Sequence, residues 1–163
     1  MAKRNSHCSY CGAPFSEGQA WPRTCANCDN ISYINPIPVT VVVLPVDDGV
    51  LVVRRNIEPR IGWLALPGGY VNFGETWQQA GARELLEETG FVISPDELQL
   101  VNVHSTAHGQ VLIFAKAQAR RWADLPPFVP NDETQEVTIL RQPEELAFPL
   151  HTQIAKDFLM RLT

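Results

Sequence analysis

Three glutamates, Glu84, Glu87 and Glu88, stand at the i, i+3 and i+4 spacing that places side chains on one face of a helix. Like charges this close destabilise a helix by roughly 0.2–0.5 kcal/mol per pair, so a partner is needed. Arg83 can relieve part of the repulsion through Glu87 at i+4, and a divalent cation can relieve the rest. Carboxylate oxygens suit Mg²⁺ or Mn²⁺, which share their ligands with substrate phosphates. Ions held this way neutralise a pyrophosphate and activate water for in-line attack on phosphorus. A solvated acidic helix face would carry the same charges, so the glutamates decide nothing alone. Over residues 69–91, however, Gly69, Glu75, Arg83, Glu84, Leu85, Glu87, Glu88, Gly90 and Phe91 fit G-x5-E-x7-R-E-U-x-E-E-x-G-U, U being aliphatic or aromatic, without a mismatch. Seven fixed identities coincide by chance about once in 10^8 windows.

The second constellation is Cys8-x2-Cys11 and Cys25-x2-Cys28, which uses every cysteine of the chain. Two such knuckles give four thiolates to one tetrahedral Zn²⁺, the spacing of a zinc ribbon. Residues 1–34 hold little apolar content, so a structural metal is what such a segment needs in order to fold. Its charges are Lys3, Arg4 and Arg23 against Glu17 and Asp29, with no basic stripe, which argues against nucleic-acid binding.

The elements that position the acidic residues follow from local signals. Thr76 and Gln79 have the form of a capping box, and Gly90 sits where a glycine ends a helix, so the helix runs over about 76–89. Ala82, Leu85 and Leu86 are expected to anchor it to a sheet, and Ala80 and Gly81 to leave room for a phosphate on the acidic side. Pro67-Gly68-Gly69 reads as a turn allowing close approach of a ligand to the backbone. Val39–Val46 and Val50–Arg55 are β-branched runs joined by the hairpin signal Asp47-Asp48-Gly49. Strands are also expected over Leu98–His104, Gln110–Ala119 and Glu136–Arg141, with a closing helix over His151–Arg161. The segment NPIP at 35–38 links the ribbon, 1–34, to the main domain, 35–163.

The 69–91 pattern is the Nudix box, and the chain resembles the Nudix hydrolases. That resemblance implies an α/β fold, an α/β/α sandwich with a mixed sheet carrying the box helix, here preceded by a small four-cysteine zinc ribbon. It implies cleavage of a nucleoside diphosphate linked to another group, with Mg²⁺ or Mn²⁺ as the catalytic ion and Zn²⁺ as the structural one. Glu84, Glu87 and Glu88 match the family's metal ligands, with Glu87 and Glu88 also placed among the catalytic residues. Arg83 matches the arginine that orients a helix glutamate, and Gly69 and Glu75 support the loop or the metal. Members often recruit a further glutamate beyond the box as base or extra ligand; Glu136 is the candidate and Glu133 the runner-up. Arg54, Arg55 and Arg60 precede the box, and Arg55 and Arg60 are the substrate-binding candidates.

A ribbon joined to such a domain is similar to the NADH pyrophosphatases and to shorter FAD or ADP-ribose pyrophosphatases. The stretch LQLVNVHSTAHGQVLIFAKA lacks the S-Q-P-W-P-F-P run of the former, which favours the short group. The resemblance extends to homodimers, common among related enzymes. A net charge of −5 argues against a general polyanion binder but not against a phosphorylated substrate, because bound metal reverses the local sign. No apolar run reaches the length of a membrane span and no targeting segment is evident, so the expected location is the cytoplasm. The alternative is a nucleotide-sensing module whose ribbon contacts nucleic acid or protein; such sensors are expected to lose box carboxylates, and this chain keeps them. An RNA-cap hydrolase, expected to show a basic groove, is a third reading.

Overall fold

Residues 4–161 are described by a computed structural model, and the chain divides after Pro36 into two units, Met1–Pro36 and Ile37–Thr163. The first is built on short strands, β1 (Arg23–Thr24) and β2 (Ile31–Ser32), paired antiparallel, with little core beyond Cys8 and Cys25. Knuckle turns replace regular structure here, as the small apolar content requires.

In the second unit the first β-branched run breaks before Pro45, giving β3 (Ile37–Val43) and β4 (Pro45–Val46). Proline has no N–H for a continuous ladder. The turn at Asp47 and Asp48 then returns the chain as β5 (Gly49–Arg55), which pairs antiparallel with β4. Asp47 adopts a left-handed φ of 51°, as a tight hairpin demands.

Two further strands lie where the sequence signals none: β6 (Leu64–Ala65), beside β5, and β7 (Gly68–Tyr70), antiparallel to β3. The expected turn at Pro67-Gly68-Gly69 is therefore corrected to the start of a strand. Glycine is needed at 68 because its φ is 151° and a Cβ would run into the Thr40 carbonyl of β3.

Helix α1 (Trp77–Thr89) follows, then β8 (Gln99–Ser105), β9 (Gln110–Lys116), β10 (Thr134–Leu140) and α2 (Pro149–Leu159). The strands form two sheets. One has the order β7-β3-β9-β8 and is mixed, since β3 and β9 run parallel; the other has the order β10-β5-β4, with β6 also on β5. The alternating residues of β3 feed two cores. Val42 packs with Leu51, Val53, Phe91 and α1 through Leu85. Val41 and Val43 pack with Val50, Val52, Phe114 and α2 through Ile154, Ala155 and Leu159. The two helices thus sit against different cores, the α/β arrangement that the period-two strands predict.

The ends of α1 match the expected signals. Thr76 Oγ1 accepts from Gln79 N–H at 3.2 Å, Gln79 Oε1 accepts from Thr76 N–H at 2.8 Å, and Gly90, at φ 77°, donates to Leu86. Its faces need correcting. Leu86 is 45% exposed, not an anchor. Ala80 and Gly81 are buried and leave no room for phosphate: a Cβ at Gly81 would lie 2.8 Å from Leu98 Cδ1 and 2.9 Å from Thr40 Cγ2. Only a glycine lets this turn lie flat on the sheet, and that close packing carries the neighbouring carboxylates inward.

Candidate active site

The inward pull has an electrostatic consequence. Glu84 and Glu88, one and two turns beyond Gly81, are only 9% and 6% exposed, whereas Glu87 points to solvent. Glu88 Oε2 accepts from the N–H of Gly68 at 2.9 Å. Burial pushes its carboxyl up to about 8, and the charges of Glu84 and Glu133 act in the same direction. Burial also raises the Glu84 carboxyl, against the opposing pull of Arg83. A Cβ on Gly69 would collide with the Glu84 carboxyl group, so this glycine makes the space that the carboxylate occupies.

Arg83 organises the group. Its Nε and Nη2 donate to the two oxygens of Glu75 at 2.7 and 3.1 Å, and Nη2 donates again to the Tyr70 carbonyl at 2.9 Å. Nη1 donates to Glu84 and Glu87, each at 2.8 Å. All the guanidinium N–H donors are used. Glu75 also accepts from Asn72 N–H at 3.0 Å, and with Arg83 beside it the carboxyl lies below its usual range. Glu75 therefore braces the loop between β7 and α1.

These residues open on one cleft of about 520 Å³. Glu84, Glu87, Glu88 and Glu133 give it an acidic side, and Arg83 and Arg55 line it as well. The remaining wall combines an apolar stretch, Val39, Val41, Leu66, Leu112 and Phe148, with His151 and the polar side chains of Glu58, Asn72 and Gln110. His151 is buried, with Nδ1 unpartnered and its ring packed on Phe114 and Phe148 at 5.8 and 5.0 Å between centroids.

The cleft sorts the remaining candidates. Arg55 lines it, with Nε donating to the Pro59 carbonyl at 2.8 Å and the guanidinium over the Phe148 ring at 5.2 Å. Arg60 is not among the lining residues; it lies over Trp63 at 5.1 Å. Glu136 does not line the cleft either. It faces Arg54 across the β5–β10 ladder and pairs with it at 2.8 Å. Adjacent strand residues point to opposite faces, so Arg54 turns away when Arg55 turns in, and Glu136 goes with its partner. The ladder is irregular between Thr134 and Glu136, and it is Glu133, just ahead of that bulge, that reaches the cleft. Strand parity and a bulge thus put Glu133, the runner-up, at the cleft and Glu136 outside it. Phe148, His151 and Leu112 lie far from the box in the chain, and no local sequence signal assigns them to the cleft.

The donor set of the cleft is carboxylate oxygen, which fits Mg²⁺ or Mn²⁺. Arg83 holds Glu84 Oε1 and Glu87 Oε2, and Gly68 holds Glu88 Oε2, which leaves the second oxygen of each carboxylate to an ion. The amino-terminal unit offers a different set. Its four sulfurs lie within 4.8 Å of one another, with Cys8 to Cys28 at 3.8 Å and Cys11 to Cys25 at 3.6 Å. Tetrahedral zinc with Zn–S of about 2.3 Å requires nearly this separation, about 3.8 Å. N–H groups of Cys11 and Tyr10 aimed at the Cys8 sulfur lower that thiol, whereas Cys25, despite the N–H of Asn27, is pushed up by burial and by the neighbouring Cys11 and Cys28 sulfurs, so the four sulfurs share protons that a metal would displace.

Among the described residues, no helix is long and apolar enough to cross a membrane. Comparison with known proteins agrees with the fold. The NAD-capped RNA hydrolase NudC of Klebsiella pneumoniae is 28% identical over 145 residues, covering 78% of this chain and 56% of its own length. The chain spans between 32% and 56% of the curated relatives it matches. A NUDIX hydrolase from Nitrosomonas europaea has a similar structure, with a TM-score of 0.78 and 30% identity over 96% of this chain and 91% of its own. A bifunctional NMN adenylyltransferase/ADP ribose pyrophosphatase from Francisella tularensis shares the fold, with a TM-score of 0.64 at 22% identity over 78% of this chain and 42% of its own. The NUDIX domain model matches residues 35–162, and the chain belongs to the Nudix family.

Proposed function

We propose that this protein is a divalent-cation-dependent pyrophosphohydrolase acting on a nucleoside diphosphate joined to a second group, of the ADP-ribose, FAD or NAD(H) class, and releasing a mononucleotide. One observation carries the reading: Glu84, Glu87 and Glu88 share a cleft with Glu133, Arg55 and an apolar wall. Glu84, Glu87 and Glu88 would hold Mg²⁺ or Mn²⁺, which supplies charge neutralisation at the pyrophosphate and acidification of bound water. Arg55 has N–H donors beyond those given to the 57–59 loop, and these would orient a phosphate. Glu133 takes the proton as water adds to phosphorus, and the bridging P–O bond breaks to release two phosphorylated products. Val39, Leu112 and Phe148 exclude water on the side where an apolar ring would lodge. Zinc is the ion that best suits the four thiolates, and its role there is structural.

The relatives named as NAD-capped RNA hydrolases favour one second reading, in which the same dinucleotide pyrophosphate is presented on an RNA end. The test is a turnover screen with Mg²⁺ or Mn²⁺ against FAD, ADP-ribose, NADH, NAD⁺, diadenosine polyphosphates, nucleoside triphosphates and NAD-capped RNA. The expected result is metal-dependent release of mononucleotide from one or two dinucleotide-type substrates. Preference for the capped RNA selects the second reading. Folded protein that binds these ligands and cleaves none would replace both with a sensor.

A further inference from the structure

Glu133 is a loop residue whose carboxylate makes no hydrogen bond or ion pair among the described residues, yet its backbone is fixed at both ends. Its N–H donates to Asn131 Oδ1 at 3.0 Å, and its carbonyl accepts from Asn56 N–H at 2.8 Å. Asn131 does more than close this turn. Its Oδ1 also accepts from Thr134 N–H at 2.8 Å, while its Nδ2 donates to the backbone carbonyl of Glu87 at 3.0 Å. That carbonyl is one of the last four of α1, which have no acceptor role within the helix. Asn56 Nδ2 secures the other side by donating to the Asn131 carbonyl at 2.9 Å. Only an amide of this reach can accept from the loop and donate to the helix at once; aspartate lacks the donor and serine lacks the length.

We propose that Asn131 is a positioning residue, tying the Glu133 loop to the carboxyl end of the box helix so that the Glu133 carboxylate keeps its place relative to Glu84, Glu87 and Glu88. The assignment rests on Glu133 acting as the base. Asn131 then acts through geometry, and its removal lets the carboxylate drift by a fraction of the distance over which proton transfer works.

The experiment is a double-mutant cycle of Asn131→Ala and Glu133→Gln, with kcat, KM and substrate-free Mn²⁺ binding measured for each variant. Asn131→Ala alone is expected to lower kcat about 10- to 100-fold with little change in KM. Mn²⁺ binding should match the wild type, because the box carboxylates are untouched. In the Glu133→Gln background the same substitution should cost nothing further. Equal losses in both backgrounds would overturn the proposal, as would weakened Mn²⁺ binding, which would make Asn131 a simple brace of the helix. Wild-type kcat in Glu133→Gln would instead remove the base assignment and this proposal with it, whereas a slow Glu133→Gln with a wild-type-like Asn131→Ala would remove this proposal alone. If Asn131→Ala does not fold, Asn131→Ser keeps an acceptor for the turn while losing the reach to Glu87, and the same outcomes apply.

Discussion

Arg83 is shared among three carboxylates, and that sharing sets what each substitution around it should do. Glu87 is the most exposed of the three, so its bond to Arg83 adds little to stability, on the order of 0.5 kcal/mol. Its value lies in charge presented to the cleft. Glu87→Gln should therefore leave the melting temperature almost unchanged while lowering kcat by about 100-fold or more, the loss of several kcal/mol expected when a metal ligand is removed. A folded Glu87→Gln variant with wild-type turnover would contradict the role given to this face. The residue scale is also where the sequence was most informative. The arrangement of Gly69, Glu75, Arg83 and the three glutamates was legible because it depends on fixed offsets along one loop and one helix. Glu133 ranks there only as runner-up to Glu136, because its placement depends on the bulge at Thr134 and on Arg54 claiming Glu136. Those are facts of pairing between strands far apart in the chain.

At the level of elements, α1 was legible from its caps, but its buried face was not. Periodicity marked Leu86 as an anchor and Gly81 as open, whereas the sheet takes Gly81 against Thr40 and Leu98 and leaves Leu86 outside. The signal was weak because two of the buried positions, Glu84 and Glu88, are charged. Gly81→Ala tests the packing. Alanine favours a helix over glycine by about 1 kcal/mol, and overpacking costs about 1–3 kcal/mol. Leu98 Cδ1 can move, but Thr40 is held by its bond to the Trp77 carbonyl, at 3.0 Å, so the cost should win. Thermal melts should show a net loss of about 1 kcal/mol; a gain would mean that the sheet yields. In the amino-terminal unit the cysteine spacing foretold the convergence of sulfurs, since each knuckle is local. Cys25→Ser should reduce bound zinc from one equivalent toward none and expose the segment to proteolysis. Full zinc occupancy in that variant would refute a four-thiolate site.

For the molecule as a whole, buried ionisable groups decide how stability responds to pH, and here the raised glutamates Glu84 and Glu88 oppose His151. Glu88, raised to about 8, binds its proton more tightly folded than unfolded, so its contribution falls as pH rises from about 4.5 toward 8. His151 runs the other way. Burial, and then the charge of Arg55, lower its pKa from 6.5 to about 3, so the neutral ring is favoured in the fold. Its stabilising contribution is complete above 6.5 and is lost as pH falls from 6.5 toward 3, because the unfolded chain takes up the proton first. Comparing the wild type with His151→Leu isolates this effect, since Glu88 is common to both. At pH 7.5 the leucine variant should be about as stable as the wild type, having exchanged an unpartnered buried nitrogen for an apolar side chain between Phe114 and Phe148. At pH 5 it should be the more stable of the two, by on the order of 2 kcal/mol. Urea unfolding at the two pH values measures the difference directly. A gap that does not widen on acidification would mean that His151 takes up its proton in the folded state, and the wall of the cleft would then carry a positive charge beside the substrate.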